Sequence, residues 1–183
     1  MIITWQVVLR IALMLVVGVV LQFAFFSQLS LLGAAPDVLV VLAVALGLLG
    51  GGVLGAVCGF TLGLLTDSLL LQTLGVSSIV LLTVGYLAGR WRESFDITSS
   101  LVPPLLTGGL TLLGAAMFAA IQLMLGVEAP VSLLVVREVI VKAVLASLLA
   151  IPIYPLVRLA LRPALVEDTG RRRRARVAPI RTA

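Results

Sequence analysis

Histidine is absent from the 183-residue chain, cysteine occurs once, at Cys58, and charged residues make up only 11%. The first two absences exclude histidine acid–base chemistry, Cys–His nucleophilic pairs, Cys/His metal sites and an intrachain disulfide. The third excludes a water-facing surface, since a soluble domain carries about 25% charged residues. Aromatic residues are scarce as well, at 5%. What remains is 61% hydrophobic, with a mean hydropathy of +1.25. Ile11–Pro36 and Val38–Thr66 contain no charge at all. The chain therefore reads as an integral membrane protein, a single all-α domain with little outside the bilayer.

Six membrane segments are expected. The first covers residues 5–26, opening on Trp5, and its apolar run is too long for a cleaved signal peptide. The second covers 36–49 and starts at Pro36-Asp37, residues suited to a first helical turn. Gly50-Gly51-Gly52 breaks the chain before the third, 52–71. The fourth (74–89), fifth (101–125) and sixth (139–161) follow, the last carrying Pro152 and Pro155, which should kink it. Residues 131–142 read as a helix on, or tilting into, the outer interface. Two full crossings need ~40 residues, and residues 36–71 supply 36, so one of the two helices must be short or the pair re-entrant.

The basic residues set the orientation. Arg10, Arg90, Arg92, Arg158, Arg162 and six arginines of the tail, eleven in all, fall on the side of the termini, against Arg137 and Lys142 opposite. This bias places both termini in the cytoplasm. The net charge of +5 does not indicate nucleic acid, because the tail, 166–183, has no aromatic residue for base stacking. Arg171, Arg172, Arg173, Arg174 and Arg176 instead form a disordered basic tail suited to anionic lipid heads.

Inside the membrane the sharpest pattern is Gly51, Gly55, Gly59 and Gly63, at strict four-residue spacing. Such a stripe lets another backbone approach closely, as helices in lipid require. Spacing alone leaves the partner open, packing between the second and third spans being one reading and a second copy in a homodimer the other. Gly85 and Gly89 form a weaker motif of the same kind. Asp67 continues the register, and antiparallel spans would bring it near Asp37 at the outer face. Capping and partial hydration explain both carboxylates better than ion coupling. Glu138 and Lys142 have the favourable order for a helical ion pair. Gln22, Gln72 and Gln122 are suited to bonds between helices. No catalytic, cofactor or metal site is expected.

The order of motifs resembles a known family. Pro36-Asp37, then Gly51-Gly52-Val53-Leu54-Gly55 with Gly59-Phe60, then Gly63-Leu64-Leu65-Thr66-Asp67, Leu74-Gly75 and Gly85-Tyr86 are similar to the rod shape-determining protein MreD family. The resemblance implies a fold like the six-helix substrate-binding subunit of energy-coupling-factor vitamin transporters. It implies no enzymatic activity and no cofactor. Its implied role is a scaffold of the bacterial cell-elongation and peptidoglycan-synthesis machinery in the inner membrane. The implied partner is an MreC-like bitopic protein, and through it an MreB-like filament and the cell-wall synthases. A membrane-embedded small-molecule binder is the alternative, although convergent polar groups are few: Asp37, Asp67, Gln72 and Glu128. Leu49-Gly50 stands where family members often carry a basic residue before the turn.

Overall fold

A computed structural model describes residues 5–26, 34–71, 75–94, 102–126 and 133–177. They form six helices: α1 (Trp5–Ala24), α2 (Val38–Gly50), α3 (Gly52–Leu70), α4 (Val76–Ser94), α5 (Val102–Met124) and α6 (Leu133–Val177). Three of these contain stretches long and apolar enough to cross a membrane: Gly52–Leu70, Val102–Met124 and Val135–Leu161. Val8–Ala24 and Val38–Gly50 are shorter apolar helices.

The short member of the α2–α3 pair is α2, with 13 residues. A helix that is apolar on every side belongs inside a larger assembly. Every residue from Val38 to Leu49 is buried, and α2 is packed by all five other helices. Asp37 starts it as N-cap, and Gly51, at φ 91°, ends it. That positive φ favours glycine, and the same residue caps the start of α3. The triple glycine is thus the hairpin that the sequence suggests. At the start of α5, Pro103 and Pro104 stand in the first turn, where a missing N–H costs nothing.

Contacts at the helix ends show that the chain runs up and down. Gln22 near the end of α1 bonds the start of α2, and Arg92 near the end of α4 donates to the Leu49 carbonyl at the end of α2. On α5, Pro103 lies by Tyr154, while Gln122 shares a cavity with Glu138. Arg10 lies by Leu159 and Ala160. One end of the bundle therefore holds Arg10, Arg92 and the C-terminal part of the apolar stretch of α6. The other holds Asp37, Asp67, Gln122, Glu138 and Lys142.

Two expectations for the last segment need correction. Residues 133–142 are no separate interfacial helix; they continue without a break into the apolar stretch, and α6 also passes unbroken through Pro152 and Pro155. Helix also continues from 166 to Val177, where a disordered tail was expected. Arg, Glu and Ala, all good helix formers, make up most of that stretch, and Gly170 alone does not outweigh them.

Candidate functional site

The glycine stripe packs against the chain's own α4. A Cβ on Gly55 would land on the Gly85 carbonyl, one on Gly59 on the Leu81 carbonyl, and one on Gly63 on the Ser78 backbone. At the far end Gly89 approaches Gly51 and Gly52 with the same lack of room. These pairs advance by about one turn per step, so α3 and α4 lie antiparallel in backbone contact. Gly47 of α2 joins the seam, since its Cβ would meet Gly85 and Gly89. The Gly85/Gly89 motif, weak on sequence grounds, is the other half of the ladder.

The last rung is polar. Asp67, one turn beyond Gly63, accepts a 2.8 Å hydrogen bond from the Gly75 N–H through Oδ2. Gly75 stands immediately before α4 at φ 102°, a conformation that favours glycine. Asp67 thus satisfies a donor at the start of the next helix, where orphan N–H groups collect and negative charge is favourable. The residue is 1% exposed, so the expected partial hydration does not occur. The packing that closes the ladder also seals its end. Asp67 Oδ1 and Ser78 Oγ are buried with no hydrogen-bond partner among the described residues.

Asp37 belongs to a different neighbourhood. Its Oδ1 accepts from the N–H groups of Leu39 (3.1 Å) and Val40 (3.2 Å), the N-cap role expected of it. Gln22 holds the same corner, donating to the Pro36 carbonyl at 3.2 Å and accepting from the Val38 N–H at 2.8 Å. Across from Asp37 stands Lys142, whose charge acts on it and which pairs with Glu138 at 2.8 Å. Asp37, Glu138 and Lys142 line a cavity of about 620 Å³ between α2, α4, α5 and α6 and the end of α3. Ligand pockets run about 300–1,000 Å³.

The structure therefore separates what the sequence pairs. Asp67 closes the α3–α4 ladder, whereas Asp37 faces α6 across the cavity. Pro36 is buried beside the Gln22 clamp. Where few convergent polar groups are expected, the cavity gathers some that were singled out for other reasons, namely Gln122 and the Glu138–Lys142 pair. Gln72 and Glu128 lie outside the described residues. Arg171, Arg172, Arg173, Arg174 and Arg176 lie on helical backbone of α6. The sequence reading missed Gly47 and took Arg92 for an orientation signal alone. Gly47 sits four residues before Gly51 and was in register with the stripe. Arg92 supplies from α4 a cation for the end of α2, at the turn where Leu49-Gly50 offers none locally.

Comparison with family models matches residues 1–162 to the rod shape-determining protein MreD. No curated protein matches, and no solved structure matches. With nine-tenths of its length covered, the chain belongs to the MreD family of rod shape-determining membrane proteins.

Proposed function

We propose, from membership in the MreD family, that the chain is a non-enzymatic scaffold of the bacterial cell-elongation machinery. In this reading all six helices cross the inner membrane, in a bundle like the substrate-binding subunit of energy-coupling-factor transporters. Both termini face the cytoplasm, and the chain holds an MreC-like bitopic protein. Through that protein it reaches an MreB-like filament and the peptidoglycan synthases. The basic end of α6 sits against anionic lipid heads.

The family match over residues 1–162 carries the proposal. The fold is consistent with it in one respect. The glycine contacts are spent inside the molecule, while α1, α5 and α6 present broad apolar faces, among them Leu13, Leu105 and Leu148. A bitopic partner would dock on such a face through van der Waals packing.

The test is co-purification with an MreC-like protein from native membranes, run beside complementation of cell shape in a deletion strain. Recovery of the partner, and restored rod shape, are the expected results. A chain that restores shape without ever retaining an MreC-like protein overturns the scaffold reading.

A further inference from the structure

We propose that the cavity between α2, α4, α5 and α6 is a binding site for a single-chain amphiphile with a neutral or amine head group. The cavity is polar at one end and apolar at the other. Asp37, Glu138, Lys142 and Gln122 lie toward the bundle end where α2 and α6 begin and α5 finishes. From Gln122 to Thr111 along α5 is eleven residues, about 16 Å at 1.5 Å per residue. Phe118, Ala115 and Gly114 line that inner stretch, opposite Val80 and Leu81. The hydroxyls of Thr111 and Thr66 add little polarity, since each donates to a carbonyl of its own helix at 2.7 and 2.8 Å.

Size and charge select the occupant. The one apolar stretch, about 16 Å long beside α5, matches a single alkyl chain, and the carboxylates Asp37 and Glu138 line the end where its head would lie. The three ionisable lining groups, two carboxylates and one ammonium, sum to one negative charge, which disfavours an anionic head and favours an amine. Leu70 and Val135 line the cavity and are themselves exposed, so the cavity is accessible at the end where α3 finishes and α6 begins. The inference stands on this geometry and is independent of the MreC-like partner.

Native mass spectrometry of the full chain in a nonionic detergent tests it, with dodecylamine, dodecanol and dodecanoate as probes. Dodecylamine and dodecanol should bind saturably at one per chain, and dodecanoate about ten-fold more weakly, as like-charge repulsion requires. Ala115→Trp fills the apolar end and should abolish binding, whereas Val57→Trp sets the same side chain on an outer face of α3, away from the cavity lining, and should leave it intact. Should Ala115→Trp fail to fold, Glu138→Gln decides, because it neutralises the lining charge and should bring dodecanoate close to the amine. Equal, unsaturable uptake of all three probes, unchanged in these variants, is plain partitioning and overturns the proposal. So does a diacyl phospholipid retained at one per chain and displaced by dodecylamine.

Discussion

Asp37 and Asp67 are both carboxylates that accept from N–H groups at a helix start, yet they hold different things together. Asp37 caps its own helix, and asparagine caps nearly as well. Asp37→Asn should therefore preserve both melting temperature and shape complementation, while Asp37→Ala should cost about 1 kcal/mol. Asp67 reaches eight residues forward to the Gly75 N–H. Asp67→Asn keeps an acceptor there and should also complement. Asp67→Leu strands a buried donor, a loss of about 1–3 kcal/mol, seen as a lower melting temperature in detergent. An Asp67→Asn variant that assembles normally yet fails to support rod shape would favour a charge-dependent role over this structural one. At Gln22, substitution by Leu removes two bonds that tie α1 to the start of α2. Each is worth about 0.5–1.5 kcal/mol, and hydrogen exchange should report earlier opening of that corner.

At the scale of the helix, the ladder makes a graded prediction. Gly55→Leu or Gly59→Leu sets a branched side chain against the Gly85 or Leu81 carbonyl. Because the obstacle is backbone, α3 and α4 must separate, and overpacking costs of 1–3 kcal/mol are about the minimum. Loss of the folded, monodisperse chain is expected, with rod shape lost as a consequence. Gly109 is the internal control: it lies mid-helix on α5 with nothing within 4 Å of an added Cβ. Gly109→Ala should stabilise by about 0.5–1 kcal/mol through helix propensity. If Gly59→Leu melts like Gly109→Ala, α3 does not pack on α4 as described. The periodicity of the stripe was plain in the sequence, but its partner was not. A face free of side chains fits any equally bare face, and Gly85-x-x-x-Gly89 is too short to stand out alone.

For the whole molecule the decisive measurement is topology. The helix ends alternate, and Arg10 and Arg92 share one end while Lys142 sits at the other, so the positive-inside bias acts on a bundle with two distinct poles. Reporter fusions should place residue 30 outside and residues 93 and 175 inside; a C-terminus outside the cell would overturn the assignment.

Composition and periodicity alone determined that this chain is helical, membrane-embedded, broken at the triple glycine and paired through a glycine face. These are local properties, set by hydropathy, by the need to satisfy backbone groups without water, and by conformations open to glycine. Helix adjacency is not local. Only the tertiary structure decided that the stripe meets α4, that α2 is the buried centre, that Arg92 serves the end of α2, and that Asp37 answers Lys142 rather than Asp67. Each depends on residues about 15 to 105 positions apart meeting across packed helices, with contact geometry choosing among neighbours of equal hydropathy. The cavity is the clearest case, because it is a gap among five helices and no single segment encodes it.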